Sequence, residues 1–374
     1  MAVNRNNIHQ TRRWVIKLGS SLLTSNGCGV KTDTLQIWVS QIMGLRQQGI
    51  DVVLVSSGAV AEGISRLGLK QRPHQLHKLQ AAAAVGQMGL IQAYEFCFQK
   101  FGVHTAQILL THDDISNRNR YLNARSTLRT LLAYKVVPII NENDTVATDE
   151  IRFGDNDTLA GLVANLVEAD LLVLLTDQAG LYDEDPRRNP LANLIKLARA
   201  GDRNLEKLAG EVGTWGRGGM LTKLRAAETA AKSGTATIIA AGMEKDVLTR
   251  IATGEELGTM FSTEVGQVVA RKQWLAGQSR VSGVLTLDQG AVKVLREGGK
   301  SLLAVGVRSV EGNFRRGEIV RCLNPDGAEI ARGLINYSAD ESRTIMGQPS
   351  SKIEALLGYV DDEELIHRDN LIIF

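Results

Sequence analysis

The sequence predicts an α/β protein with a mainly parallel sheet, followed by a small, mostly β unit. Three observations carry that reading. Short runs that are apolar throughout, VVLV at 52–55, VVPII at 136–140 and LLVLL at 171–175, suit parallel strands covered on both faces. Between them lie stretches whose apolar residues recur at helical spacing. After about Thr263 the alternation stops, and short strands and turns take its place.

In chain order, Trp14 to Ile16 read as a strand that breaks at Lys17, Gly19, Ser20 and Ser21, where glycine lets backbone approach a ligand and successive N–H groups can cradle an anion. A helix follows on Leu35, Trp38, Val39, Ile42, Met43 and Leu45, with Thr32 as N-cap and Gly49 closing it. The strand VVLV then ends in Ser56, Ser57 and Gly58. An Ala-rich helix spans 75–101, a strand 103–110 and a helix 113–134. The run VVPII keeps its strand assignment if the missing N–H of Pro138 lies at a strand end or bulge.

The chemical weight of the chain lies at 136–159, VVPIINENDTVATDEIRFGDNDTL. A buried-strand pattern runs into NEND, and GDND follows before the next helix at 159–167. Asn141, Asp144, Asp155, Asn156 and Asp157 thus converge near a strand end, where α/β proteins keep their sites. Taken alone, either cluster is also ordinary turn and N-cap chemistry. The strand at 171–175 ends in Thr176 and Asp177. Further on, Gly216, Gly218 and Gly219 precede a helix starting near Met220, whose unpaired N–H groups and dipole favour phosphate, with Lys223 on its first turn. A strand at 235–240 follows. Beyond a linker at 266–277, GNFRRGEIV and LNPDGAEIARGL carry hairpin signals, with one helix around 289–297.

Composition bounds the rest. At 374 residues, 44% hydrophobic and 22% charged, the chain exceeds one core and is expected to form two domains. The N-terminal MAVNRNNIHQTRR has no apolar h-region, and no apolar run approaches the ~18 residues of a bilayer span, so a cytoplasmic protein is expected. Cys28, Cys97 and Cys322 lack the spacing of a disulfide framework or zinc site. A net charge of +2 is too mild to argue for nucleic acid or membrane. GGKS at 298–301 lacks the first glycine of a phosphate-binding loop, Val294 standing there, and HRDN at 367–370 lacks the downstream Asn of a protein-kinase loop. Both read as turns, and His74 and His77 as surface residues.

Two lysines far apart in the chain, Lys17 and Lys223, each beside a Gly-rich turn, with a carboxylate to order them, match what phosphoryl transfer requires: positioning and stabilisation of spread negative charge. Taken in order, WVIKLGSS, VSSGAVAEG, AAVGQ, NENDTVAT, FGDND, LLTDQAGLYDEDP and GGMLTK resemble the amino acid kinase family, and within it the members that act on glutamate. The resemblance spans most of residues 14–260, and the C-terminal part is similar to a PUA domain. It implies a three-layer α/β/α sandwich over 1–265, a linker at 266–277 and a PUA-like domain with a C-terminal tail at 278–374. The implied reaction is ATP-dependent phosphorylation of the L-glutamate γ-carboxylate to L-glutamyl 5-phosphate, the first step of proline biosynthesis.

Carried over by position, Lys17 contacts the ATP phosphates and the moving phosphoryl group, Lys223 stabilises charge on the ADP side, and Asp157 holds the two in register. Ser57, Asp144 and Asn156 match the glutamate contacts, with Asn141 and Asp155 as neighbours. Thr176, Asp177 and the loop Arg217, Gly218, Gly219, Met220, Leu221, Thr222 and Lys223 match the nucleotide contacts, with Arg217 standing where the family commonly has threonine. Mg²⁺ is expected with ATP, mainly on its phosphates, so no dedicated cage of protein ligands is expected. A homo-oligomer (dimer or tetramer), feedback by proline, and hand-over of the labile product to the next enzyme of the pathway also belong to what the resemblance implies. Independently, acidic residues at Asp144 and Asp155 favour an acceptor bearing an ammonium over one bearing a phosphate.

Three other readings compete. A sibling enzyme of the same fold would act on another carboxylate or on a carbamate. An RNA-binding protein would use the PUA-like domain, but 278–348 holds ten Lys/Arg against eight Asp/Glu with no dense basic stripe, so RNA and membrane partners are not expected. The C-terminal domain would otherwise serve structure or regulation.

Overall fold

Residues 2–25, 28–146, 156–208, 219–263 and 281–374 are described by the computed structural model. The chain divides into two units, Met1–Gln267 and Val268–Phe374. Asp155, Gly216, Arg217, Gly218 and the linker at 266–277 lie outside the described residues.

In the first unit the strands are β1 (Arg13–Leu18), β2 (Thr24–Ser25), β3 (Cys28–Val30), β4 (Asp51–Val55), β5 (Thr105–Leu110), β6 (Val137–Glu142), β7 (Leu171–Thr176), β8 (Leu197–Arg199), β9 (Ala236–Ala241) and β10 (Thr259–Ser262). Eight of them form one sheet in the order β5-β6-β4-β1-β7-β9-β10-β8, while β2 and β3 make a small hairpin. All pairings in the large sheet are parallel except β10 with β9. Helices cover both faces, giving the expected three-layer α/β/α sandwich with a mainly parallel sheet.

The two cores follow from strand alternation. Successive side chains point to opposite faces, so Trp14, Ile16, Leu18, Val52, Leu54 and Val173 join one cluster and Val15, Val53, Val55, Leu172 and Leu174 the other. On the first face lie the helices Thr32–Gln47, Leu76–Gln99 and Val247–Ala252; on the second, Arg118–Ala133, Asp157–Val167 and Met220–Ala231. Pro138 sits inside β6 without breaking it, because the ladder with β4 begins only at Ile139.

Three expectations are corrected. The helix expected over 113–134 is two, His112–Ser116 and Arg118–Ala133, because the Asn117 side chain accepts from the N–H groups of Asn119 and Arg120 and starts a new helix. Thr32 lies inside its helix, with Lys31 in the capping position and no side-chain cap. The short elements β8, β10, Ala59–Arg66 and Val247–Ala252 were not foreseen.

The helices Ala59–Arg66 and Leu76–Gln99 cross at unusually short range. A Cβ on Gly63 would stand 1.7 Å from the Ala82 carbonyl oxygen, and one on Gly86 1.9 Å from that of Ala59. Only glycine lets the two backbones approach this closely. The contact fixes the position of the long helix against the end of β4.

In the second unit β11 (Gly283–Leu287), β12 (Val307–Gly312), β13 (Ile319–Leu323), β14 (Glu329–Leu334) and β15 (Leu371–Ile373) form a sheet ordered β12-β11-β13-β14-β15 around its own apolar core. The expected helix is present at Gln289–Gly298, capped by Asp288, and further helices at Ala339–Ile345 and Ile353–Leu357 were not foreseen. The GGKS stretch turns out of the first of these through Gly299 (φ +54°), and HRDN leads through a short 3-10 turn into β15. Among the described residues no helix is long and apolar enough to cross a membrane.

Candidate active site

Lys17 is the fifth residue of β1, and alternation places it on the same face as Val15, beneath the helices Asp157–Val167 and Met220–Ala231. Those helices approach closely, since a Cβ on Gly161 would stand 2.7 Å from the Ala226 carbonyl oxygen. Their first turns therefore meet above the C-terminal end of β1. Asp157 opens one helix, where the helix dipole favours a carboxylate, and Lys223 lies in the first turn of the other.

The Asp157 carboxylate bridges the two lysines. Its Oδ1 lies 2.5 Å from Lys17 Nζ, and its Oδ2 lies 2.8 Å from Lys223 Nζ and accepts from Thr222 Oγ1 at 3.0 Å. All three charged groups are buried, with Asp157 at 0%, Lys17 at 5% and Lys223 at 6% exposure. Burying charge is tolerated only with such pairing, and charge-assisted bonds at these distances fix both ammonium groups to either side of one carboxylate. Gly219 precedes the Met220 helix and supplies no side-chain cap, leaving its first N–H groups to a ligand or to backbone. Met220, Leu221 and Thr222 are half-buried on that turn.

A second constellation adjoins the first through Asn156. Its Nδ2 donates to the backbone carbonyl of Ser56 at 2.6 Å and to Asn141 Oδ1 at 2.7 Å. Asn141 Nδ2 in turn donates to Gln87 Oε1 at 2.6 Å. Ser56 Oγ meets the Tyr94 hydroxyl at 2.9 Å, and burial pushes the Tyr94 phenol well above its ordinary value, keeping it neutral. Ser57 is buried next in the chain, just before Gly58 starts its helix at φ +97°. Asp144, in the turn after β6, lines a cavity of about 230 Å³ together with Gln87, Met88, Gln107 and Glu142.

Thr176 and Asp177 stand at the end of β7, next to β1 in the sheet, with Thr176 Oγ1 donating to Asp177 Oδ1 at 2.9 Å. Lys17, Asp157 and Lys223 are therefore brought together, as are Asn141 and Asn156, while Thr176 and Asp177 stand at the end of the strand beside β1. Asp155, Arg217 and Gly218 lie outside the described residues. Gln87, Tyr94 and the Ser56 carbonyl were missed from sequence. The one available signal was a glutamine closing AAVGQ in an otherwise Ala-rich helix.

The profile of the Amino acid kinase family matches residues 12–241, more than half of the chain and every residue of both constellations. The chain belongs to the amino acid kinase family. In this amino acid kinase a second profile, that of the PUA domain, matches residues 283–357, within the second unit. The strand β15 falls beyond that match yet pairs with β14. Curated relatives agree over the full length. A glutamate 5-kinase of Stutzerimonas stutzeri (strain A1501) is 61% identical over 99% of this chain and 100% of its own length. A glutamate 5-kinase of Thioalkalivibrio sulfidiphilus (strain HL-EbGR7) is 61% identical over the whole of both chains. That of Methylococcus capsulatus (strain Bath) is 60% identical over 99% of each.

Proposed function

We propose that this amino acid kinase transfers the γ-phosphoryl group of ATP to the γ-carboxylate of L-glutamate, giving L-glutamyl 5-phosphate and ADP, the first step of proline biosynthesis. The observation that carries the reading is the buried Asp157 carboxylate holding Lys17 and Lys223 on its two oxygens. An oxygen of the glutamate carboxylate forms the new bond to phosphorus as the bond from phosphorus to the β,γ-bridging oxygen breaks. The acceptor is already ionised at neutral pH, so no general base is required. The protein's task is to position the reactants and to stabilise charge that spreads over the phosphoryl oxygens.

In this reading Lys17, at the sheet end, meets the phosphates and the group in transit, and Lys223 meets the charge that accumulates on the leaving ADP. Asp157 keeps both ammonium groups in place, so that little reorganisation is needed during transfer. Gly219, Met220, Leu221 and Thr222, with Arg217, Gly218, Thr176 and Asp177, form the nucleotide side. Ser57, Asn141, Asp144 and Asn156 form the acceptor side, to which Asp155 of the GDND motif is also assigned, and carboxylates there favour the substrate ammonium. Mg²⁺ would accompany ATP and offset the charge of its phosphates, with few ligands drawn from the protein. The full-length likeness to proteins named glutamate 5-kinase supports the choice of acceptor.

Trapping the acyl phosphate with hydroxylamine in the presence of ATP, Mg²⁺ and a panel of acceptors tests the proposal. A hydroxamate should form with L-glutamate in marked preference to aspartate, acetyl-glutamate and carbamate. Equal or greater turnover with another acceptor would replace glutamate by that compound.

A further inference from the structure

The amides of Asn156, Asn141 and Gln87 form a head-to-tail series whose direction is set by one fixed end. The Ser56 carbonyl can only accept, so Asn156 must turn its Nδ2 toward it, and the same nitrogen then donates to Asn141 Oδ1. Asn141 is thereby left with Nδ2 facing the long helix, where Gln87 Oε1 accepts from it. The circuit returns to that helix by a second route. Tyr94 lies seven residues after Gln87, two turns on and on the same face, and its hydroxyl meets Ser56 Oγ. All of these groups are buried, Gln87 being 8%, Asn141 1% and Ser56 0% exposed. The series keeps its direction because any flipped amide sets two donors or two acceptors against each other, while Gln87 Nε2 at its far end is buried with no partner among the described residues.

Resting on the proposed glutamate reaction, we infer that Gln87 is a positioning residue of the acceptor pocket. The Ser56 end sets the direction of the series, and Gln87, by accepting from Asn141 Nδ2 at the other end, holds the Asn141 amide, and through it that of Asn156, in place toward the substrate. The glycine contact of the helix is what makes this effective, since Gly86 is locked against Ala59 and the adjoining Gln87 cannot drift from β6. Gln87 also lines the same cavity as Asp144, on the acceptor side.

Gln87→Leu keeps the volume of the side chain and removes the acceptor for Asn141. It should raise the glutamate KM at least tenfold while the ATP KM changes less than twofold and the melting temperature is kept within a few degrees. Gln92→Leu makes the same exchange on the exposed face of the helix, where Gln92 meets Arg66, and should leave both KM values within twofold of wild type. The decisive measurement is the cycle of Gln87→Leu, Asn141→Leu and the double variant: a relay requires the double variant to be no worse in glutamate KM than Asn141→Leu alone. Multiplying effects, or equal changes in the glutamate and ATP KM values, would overturn the inference. If Gln87→Leu unfolds, Gln87→Met in the same cycle gives the reading. A wild-type protein that forms no hydroxamate from glutamate would instead sink the proposed reaction, which keeps the two failures apart.

Discussion

Replacing Gly86 by alanine puts a methyl group where the backbone of the neighbouring helix already stands. The added Cβ would lie 1.9 Å from the Ala59 carbonyl oxygen and 2.3 Å from the Gly63 nitrogen. Restoring ordinary contact requires the two helices to part by roughly 1.5 Å. Two effects then oppose each other. Alanine in a helix interior is favoured over glycine by about 1 kcal/mol, whereas overpacking costs about 1–3 kcal/mol, occasionally more, and backbone cannot swing aside as a side chain does. The parting also stretches the bond between Asn141 and Gln87, now 2.6 Å, and a lost buried bond adds about 1 kcal/mol. The clash wins, by about 1–3 kcal/mol. Gly44 is the control, for it is helical too but has nothing within 4 Å of its added Cβ, so Gly44→Ala should stabilise by up to about 1 kcal/mol. Urea unfolding at constant m-value measures both. A Gly86→Ala midpoint at or above that of wild type would refute the packing argument.

Further outcomes follow from the site and its supports. Asp157→Asn removes the charge that pairs both lysines and should lower kcat by about 100-fold or more in the hydroxamate assay; a loss under tenfold would deny the carboxylate its ordering role. Asp144→Ala should raise the glutamate KM far more than the ATP KM, and equal changes would remove Asp144 from the acceptor side. On the helix Leu76–Gln99, burial pushes the Glu95 carboxyl up, but hydrogen bonds from Thr105 at the start of β5 and from Gln99, with His104 nearby, outweigh it and hold the group below its ordinary 4.5. A lowered folded-state value stabilises above that ordinary value and is lost as pH falls through the folded one. The unfolding midpoint of wild type should therefore exceed that of Glu95→Gln at pH 7 and lose that lead only below about pH 4.5; a lead that grows on acidification would reverse the assignment.

Much of the fold could be read from local pattern because the central parallel strands carry continuous apolar runs. The strands β1, β4, β6, β7 and β9 were all anticipated, and helical spacing found most of the covering helices. The strands β8 and β10 escaped because they are only three and four residues long, and β10 is the antiparallel member of the sheet. The break at Asn117 escaped because its capping bonds interrupt a pattern that is helical on both sides. In the site, the glycine-flanked lysines and the GDND cluster stood out through their turn chemistry. Gln87 did not, since a glutamine in a helix is ordinarily solvated and only its contact with Asn141 on β6 gives it a task.

By itself, the sequence determined what depends on near neighbours: the strand and helix periods, the places where Ser56, Gly58 and Gly219 end or begin an element, and the ordered motifs that mark the family. Only the tertiary structure decided which of these groups touch. Asp157 and Lys223 are 66 residues apart in the chain and 2.8 Å apart in space. That distance is set by the room that Gly161 leaves between two helices, and the packing of both over the sheet brings Lys17 on β1 to the same carboxylate; these are properties of packing between elements, absent from the pattern within any one of them.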